Sequence, residues 1–201
     1  ATLIAECDVA SDESIEALIK QVDEQWGELD FLVHSLAYAD TQDLSKPFSE
    51  TLRDGFNKAM EISAYSLLPL AKGVIPMMRK RGGGSIVSMS FIGSTLAVPN
   101  YNVMGPAKAA LESCTRYLAR ELGPENIRIN SLSPGAIRTL SSAGIKDISE
   151  MIRVAGEHSA MKRTATQAEV ANAAAFLLSD AASGITGQLI YVDCGYSIMA
   201  N

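Results

Sequence analysis

Residues that bind metals or form disulfides are scarce in this sequence. Its 201 residues include three cysteines, Cys7, Cys114 and Cys194, and two histidines, His34 and His158. No two cysteines form a CxxC pair, and none has the spacing to a histidine that a zinc site uses. This argues against a disulfide framework and against a bound metal. An odd and sparse set of cysteines also fits a reducing compartment, so we expect a cytoplasmic protein.

Long apolar runs and basic stripes are also missing. No run of about 18 or more apolar residues is present, so the sequence predicts no membrane-spanning helix. The formal net charge is −6, and the dense basic run RKR at residues 79–81 is followed by glycines. Cations favour the C-terminal ends of helices, so this run is interpreted as a solvated helix end. We therefore expect neither a nucleic-acid partner nor a membrane partner.

Short apolar segments alternate with amphipathic segments along the chain. The apolar segments predict strands at residues 2–6, 29–37, 85–90, 126–135 (ending in a turn) and 188–195. The amphipathic segments predict helices at residues 11–27, 50–80, 104–122 and 167–179, with residues 138–163 irregular or weakly helical. This alternation predicts a doubly wound, three-layer α/β fold in which a parallel sheet lies between helices. The length and the lack of a linker predict one domain over residues 1–201.

Polar and small residues follow several of the predicted strands. They occupy residues 8–9, 34–37, 88–93 and 133–135. Each of these segments alone is an ordinary loop. In a doubly wound sheet, however, ligands bind at the carboxyl ends of the strands, and all four segments share that edge. Their common position predicts the ligand site.

A tyrosine and a lysine stand seven residues apart in the segment NYNVMGPAKAAL, residues 100–111. The apolar spacing predicts that a helix begins there, and Pro106 is tolerated in a first turn. Seven residues make about two helical turns, so Tyr101 and Lys108 would share one face. A nearby cation would lower the pKa of the phenol and prepare it to donate a proton to a developing oxyanion. The alternative is a surface helix that carries both residues incidentally.

Several motifs occur in the order found in the short-chain dehydrogenases/reductases. They are CDV, VHSLAYA, IVSMS, NYNVMGPAKAALE, IRINSLSPGAIRTL, AGIKD and GQLIYVDCGYSIM, which together span residues 3–199. The spacing of Tyr101 and Lys108 resembles the enoyl-acyl-carrier-protein reductase branch. The branch that reduces ketones has its tyrosine four positions before the lysine, where this sequence has Met104. The resemblance implies a Rossmann-like fold.

The resemblance also implies a reaction of fatty-acid biosynthesis. A nicotinamide cofactor, NADH with NADPH still possible, would reduce a trans-2-enoyl thioester on acyl carrier protein. Hydride addition at the β-carbon would leave an enolate, and Tyr101 would hydrogen-bond its oxygen, where charge develops. Lys108 would bind the ribose hydroxyls of the cofactor and hold positive potential near the phenol. The family further implies a homotetramer.

Other residues take cofactor or substrate roles by the same resemblance. Asp8 and Val9 resemble the pair that holds the adenine ring, although an aspartate there also suits a helix cap. The residues expected near the rest of the cofactor are Ser35, Leu36, Ile137, Thr139 and Ser141. The residues expected along the acyl thioester are Tyr38, Ala39, Met104, Ile145 and Ile148, and for all of these but Ala39 a place in the core is an equal alternative.

The sequence departs from the family pattern in two places. Many members have a second tyrosine ten residues before the first, where this chain has Phe91, which cannot donate a proton. Tyr101 or a water would then protonate the enolate. The opening strand, glycine-rich turn and first helix of the family also have no counterpart here, so the choice between NADH and NADPH cannot be read.

This second departure leads to structural expectations. We expect roughly fifty further residues ahead of residue 1, an estimate from the size of a βαβ unit. Without a preceding strand, residues 2–6 should form an orphan edge or lie detached from the sheet. The strand within residues 29–37 should lack a neighbour on one side.

Two other functions stay open at this point. One is a carbonyl-reducing member of the same superfamily, against which the tyrosine–lysine spacing argues. The other is a catalytically silent scaffold that keeps the fold but cannot hold a dinucleotide.

Overall fold

Four parallel strands organise the computed structural model, which describes residues 1–139, 142 and 147–200. They are β1 (Phe31–His34), β2 (Gly84–Met89), β3 (Ile127–Pro134) and β4 (Leu189–Val192). The strands lie side by side in chain order, and every neighbouring pair is parallel. Each connection therefore crosses over with a helix before the next strand is added, as the alternating sequence pattern predicts.

Seven α-helices connect or flank these strands in the described residues. They are α1 (Asp12–Trp26), α2 (Thr41–Ser45), α3 (Arg53–Met60), α4 (Leu67–Lys80), α5 (Met104–Leu122), α6 (Ile148–His158) and α7 (Gln167–Leu178). The predicted bounds of α5 are confirmed. The segment predicted to be irregular or weakly helical, residues 138–163, contains the helix α6. An amphipathic pattern confined to three turns is easily missed.

The predicted long helix at residues 50–80 is divided in the structure. Between α3 and α4 the chain forms one π-helical turn, Glu61–Tyr65, in which the Ser66 amide bonds the Glu61 carbonyl five residues back. The Ser66 hydroxyl also donates to the Ile62 carbonyl at 2.6 Å. Such turns insert one extra residue into a helix and are frequent at functional sites.

Two apolar clusters cover the two faces of the sheet. Ile86 and Ile129 pack with α4 and α5 on one face, while Val87 and Leu132 pack with α7 on the other. Successive strand residues point to opposite faces, so neighbours in sequence enter different clusters. The Rossmann-like arrangement with helices on both faces is thereby confirmed. Burying each of these large side chains contributes about 1.5–3 kcal/mol to folding.

The outer edge of β1 is open in the described part of the chain. Residues 1–8 have no regular secondary structure, and Ile4 is 90% exposed, so the strand predicted at residues 2–6 is wrong. The alternative expectation, that this segment is detached from the sheet, is confirmed. β1 pairs with β2 alone, and Phe31 and Val33 are about half exposed. A four-residue strand that is hydrogen-bonded along one edge only is weakly fixed in the sheet.

The basic run at the end of α4 is neutralised by acids. Arg79 pairs with Glu125, and Lys80 Nζ lies 3.1 Å from Asp23 Oδ1. These pairs are exposed, so each contributes at most about 1 kcal/mol, but they leave no basic patch there. None of the described helices is long and apolar enough to span a bilayer.

Candidate active site

A cavity of about 430 Å³ opens at the carboxyl edge of the sheet. Its walls come from the segments after β1, β2 and β3, from the start of α5 and from the start of α6. Among its lining residues are Ser35, Leu36, Tyr38, Ala39, Met89, Ser90, Phe91, Tyr101, Met104, Lys108, Ile137, Thr139 and Ile148. The expected position of the ligand site, where the strand ends meet, is therefore a real cleft.

Lys108 is buried in the second turn of α5 and reaches the base of this cavity. Lys108 as a whole residue is only 4% exposed. The Nζ atom donates to the Met89 carbonyl at the end of β2, at 2.7 Å. Burial lowers the pKa of Lys108 to about 8, against an opposing effect of Glu112. The ammonium has three donors, so further acceptors in the cavity can bind it.

Tyr101 lies in the turn before α5, not on the helix itself. The turn is shaped by Asn100 and Asn102, whose φ angles of 59° and 37° are left-handed. Asparagine accepts this conformation more readily than most residues. The prediction that Tyr101 and Lys108 share a helix face is therefore wrong, although both residues line the same cavity.

The Tyr101 ring is held by close packing. It meets the Phe91 ring at a centroid distance of 4.8 Å with the planes tilted by 56°. A Cβ added to Gly93 would come within 2.4 Å of the Tyr101 Cδ1 atom, so only glycine leaves room for the ring. Tyr101 is 7% exposed and thus has a fixed orientation.

The electrostatics of Tyr101 differ from the prediction. Burial raises the pKa of the Tyr101 phenol, and the nearby Glu112 raises it further. The predicted lowering of this pKa by Lys108 is wrong, because the phenolate is poorly solvated in the buried site. Tyr101 is therefore a protonated hydrogen-bond donor at any ordinary pH. That state still suits the stabilisation of an oxyanion.

The expected cofactor residues fall into three groups. Ser35, Leu36, Ile137 and Thr139 line the cavity together with Lys108. Asp8 and Val9 do not line it; Asp8 Oδ1 accepts from the Ala10 amide at 3.0 Å, in the turn that leads into α1. Asp8 therefore shapes this turn, and the alternative that it caps α1 is wrong, because the N-cap of α1 is Ser11. Ser141, like Ile145 among the substrate residues, lies outside the described part of the chain.

The expected substrate residues line the cavity as well. Tyr38, Ala39, Met104 and Ile148 all belong to its wall. Met104 is also part of a buried apolar cluster, so the two alternatives for it, cavity and core, both apply. Tyr38 sits at the mouth: its hydroxyl donates to Asp40 at 2.8 Å, and Lys58 Nζ lies 4.5 Å above its ring.

One residue beside the site, Glu112, was not expected from the sequence, and Ser90 was expected only as part of the segment 88–93. Ser90 and Glu112 are both buried, and the Ser90 hydroxyl donates to Glu112 Oε1. Glu112 stands one helical turn after Lys108, a spacing visible in the sequence. An acidic residue at that spacing is usually a surface ion-pair partner, so the pattern alone gives no sign of its burial.

A second cavity, of about 470 Å³, lies beside the first. The two share Phe91, Gly135 and Ala136 as a wall. The second cavity contains neither Tyr101 nor Lys108 among its lining residues. The chemistry therefore belongs to the smaller cavity.

A tyrosine and a buried lysine at the carboxyl edge of a Rossmann-like parallel sheet define the class of the protein as a short-chain dehydrogenase/reductase. Within that class, the family model described as enoyl-(acyl carrier protein) reductase matches residues 1–197. The chain belongs to the enoyl-(acyl carrier protein) reductase family.

Individual relatives agree with this assignment. The NADH-dependent enoyl-acyl-carrier-protein reductase FabI of Synechocystis sp. is 51% identical over 198 residues, which is 98% of this chain and 76% of that protein. FabI of Neisseria meningitidis is 49% identical over 98% of this chain and 76% of its own length.

Solved structures are equally similar. The NADH-type reductase of Aquifex aeolicus has a TM-score of 0.96 at 41% identity and covers 100% of this chain and 78% of that one. The reductase of Anaplasma phagocytophilum, solved in complex with NAD, has a TM-score of 0.94 at 41% identity over 99% of this chain and 75% of that one.

Proposed function

We propose that this protein reduces trans-2-enoyl thioesters on acyl carrier protein, with NADH as the electron donor, in fatty-acid biosynthesis. The observation that carries the proposal is the meeting of Tyr101 and Lys108 in one cavity at the carboxyl edge of the sheet. The relatives named above carry the same activity in their names, and one related structure contains NAD.

The residues of the cavity fit a nicotinamide dinucleotide. Lys108 presents a buried ammonium, which can donate to ribose hydroxyls beyond its bond to Met89. We assign Ser35 and Leu36, at the end of β1, to the ribose and nicotinamide. Ile137 and Thr139, after β3, are assigned to the carboxamide and the pyrophosphate. Asp8 and Val9, outside the cavity, are assigned to the adenine ring. NADH, when bound, supplies the hydride that is added to the β-carbon of the enoyl thioester.

Tyr101 has the properties needed to stabilise the enolate oxygen. Its hydroxyl stays protonated because burial raises its pKa, so it donates a hydrogen bond where negative charge develops. Its ring cannot turn away, since Phe91 and Gly93 enclose it. Phe91 itself has no proton to give. We therefore assign protonation of the enolate to Tyr101 or to a water that it orients.

The apolar residues of the cavity are assigned to the acyl thioester. Tyr38, Ala39, Met104 and Ile148 line one continuous wall beside Tyr101. Such a wall excludes water from the reacting carbons and binds the acyl chain through apolar contact. The backbone of Ala39 faces the thioester end in this assignment.

A direct experiment tests the proposed function. The protein is titrated with NADH and, separately, with NADPH, and turnover of crotonyl and acetoacetyl thioesters is then measured side by side. We expect binding of NADH and reduction of the crotonyl thioester. Reduction of the acetoacetyl thioester alone would point to a carbonyl reductase, and failure to bind either dinucleotide would indicate a silent scaffold.

We further propose a cytoplasmic homotetramer. Large apolar side chains are exposed at three places: Tyr65 in the π-helical turn is 50% exposed, Tyr117 on α5 is 73% exposed, and Ile198 near the C-terminus is 79% exposed. Association of these surfaces would bury them. Sedimentation velocity on the purified protein measures the oligomer directly, and a monomer at micromolar concentration would contradict this part of the proposal.

A further inference from the structure

A buried carboxylate that the proposed reaction does not use lies one helical turn after Lys108. Glu112 on α5 is 7% exposed, and it accepts a hydrogen bond from Ser90, which is 5% exposed. A buried carboxylate is costly unless hydrogen bonds and a countercharge stabilise it. Its retention beside the active site therefore calls for a role.

Two neighbouring contacts join the end of β2 to α5. Met89 accepts a hydrogen bond from Lys108, and Ser90 donates one to Glu112. Lys108 and Glu112 stand one helical turn apart. Met89, the last residue of β2, and Ser90, the residue after it, are therefore bound by consecutive turns of α5. This pair of contacts fixes the depth at which Lys108 sits below the cavity, and it also fixes Phe91, the next residue, against Tyr101.

We infer that Glu112 is a positioning residue of the active site: through Ser90 it fixes the end of β2 against α5, and its carboxylate acts on the Lys108 ammonium one helical turn before it. This inference rests on the proposed function only for its catalytic consequence. The state of Lys108 can be measured without substrate or cofactor.

The charged and titratable groups around Lys108 support a specific role for Glu112. His34, from β1, is neutral near pH 7, because burial and then Lys108 lower the pKa of its imidazole to about 4. Tyr101, from the turn before α5, is neutral because its pKa is raised. Glu112 is the group whose charge opposes the effect of burial on the pKa of Lys108.

Removal of this charge has a defined direction of effect. Without Glu112 the pKa of Lys108 falls further below about 8, so part of the ammonium is lost at neutral pH. The pKa of Tyr101 also falls when Glu112 is removed. Tyr101 nevertheless stays protonated, because burial alone keeps its pKa above the ordinary value. The change is therefore expressed through Lys108.

The decisive experiment is a pH titration of Lys108 in the full chain by NMR of lysine labelled with ¹³C at Cε. The resonance is assigned with the Lys108→Met variant. Glu112→Gln keeps an oxygen that accepts from Ser90 but removes the charge. We expect its titration midpoint to lie below that of the unaltered protein, because the charge that raises the pKa of Lys108 is gone. Glu121→Gln, an exposed substitution on the same helix, should leave the midpoint unchanged.

A second variant separates the bond from the charge and remains informative if Glu112→Gln does not fold. Ser90→Ala removes the hydrogen bond and leaves the carboxylate in place. We expect the Lys108 midpoint to stay at or above its original value while turnover of the crotonyl thioester falls severalfold at every pH. An unchanged midpoint in a folded Glu112→Gln protein, or full turnover in Ser90→Ala, would overturn the inference. Absence of turnover in the unaltered protein would instead count against the proposed function alone.

Discussion

The two sides of the active-site cavity differ in how firmly the fold supports them. On one side, β3 is an eight-residue strand buried along nearly its whole length, and α5 packs on it with Lys108 in its second turn. On the other side, β1 is a four-residue edge strand with two half-exposed side chains, yet it carries the Ser35–Leu36 segment. The groups assigned to chemistry are thus held by the buried half of the sheet, and part of the binding wall is held by its edge. Substitutions in the buried half should act on turnover, and those at the edge on stability.

The largest effect is expected for Tyr101→Phe. This change removes the hydroxyl and keeps the ring that packs on Phe91, so the site should stay intact. Loss of one oxyanion donor costs on the order of 10²–10³ in rate, and the affinity for NADH should be nearly unchanged. Steady-state turnover and a fluorescence titration with NADH measure the two quantities. Tyr191→Phe, at an exposed position of β4, is the control, and full turnover in Tyr101→Phe would remove Tyr101 from the mechanism.

Lys108→Met should lower both the affinity for NADH and turnover. Methionine fills much of the same volume but cannot donate to ribose hydroxyls or to the Met89 carbonyl. Loss of a charged hydrogen bond of about 1.5–3 kcal/mol corresponds to a roughly tenfold to hundredfold weaker binding. Lys108→Ala should behave in the same way, whereas Lys72→Met, at an exposed position of α4, should bind NADH normally. Normal binding in both Lys108 variants would show that Lys108 does not contact the cofactor.

Gly93→Ala tests whether turnover of the enzyme depends on the fixed position of the Tyr101 ring. The added Cβ would lie 2.4 Å from Tyr101 Cδ1, so the ring has to move. Overpacking of this kind costs about 1–3 kcal/mol of stability, and displacement of the hydroxyl should lower turnover more than NADH binding. Gly184→Ala is the matched control, because its Cβ would meet nothing within 4 Å. Equal turnover in the two variants would contradict the importance of the ring position.

The smallest effect concerns the edge side and is a dependence of stability on pH. His34, at the end of β1, has its pKa lowered from 6.5 to about 4, chiefly by burial. The unfolded chain therefore binds more protons between these values, and the free energy of unfolding should fall as the pH is lowered from about 6.5 toward 4. Between pH 6.5 and 5 the loss attributable to His34 is about 2 kcal/mol. Denaturant unfolding of His34→Gln should show a shallower fall over this range than that of the unaltered protein.

Periodic segments were predicted well from the sequence because their signal is local. The bounds of α5 needed only the apolar spacing of its residues. The edge position of β1 followed from the family pattern. The turn that carries Tyr101 could not be predicted, since it depends on two left-handed asparagines, and neighbouring packing decides whether such a residue takes that conformation.

Burial limited the prediction of the site itself. The sequence places a lysine near a tyrosine and so suggests a lowered phenol pKa, but the cost of burying the phenolate is larger and has the opposite sign. The same limit hid Glu112, since a glutamate one helical turn after a lysine does not indicate an interior position. Residues placed by the family motifs, such as Ile137 and Thr139, fell in the cavity wall because the motif fixes the end of a strand.

The π-helical turn Glu61–Tyr65 makes the helical segment that joins α3 to α4 unusually sensitive to the deletion of a residue. Ser63, inside the turn, bonds the backbone of Tyr38 at the cavity mouth, and Ser66, just after it, bonds His34 at the end of β1. Deletion of one residue within the turn would return the segment to α-helical phase and rotate one of these serines relative to the other by about 100°. Ser63 and Ser66 could then not both face the edge strand β1 while α4 keeps its apolar face on the sheet. Length changes at this point should therefore be tolerated far less well than substitutions, although the turn lies outside the reacting groups.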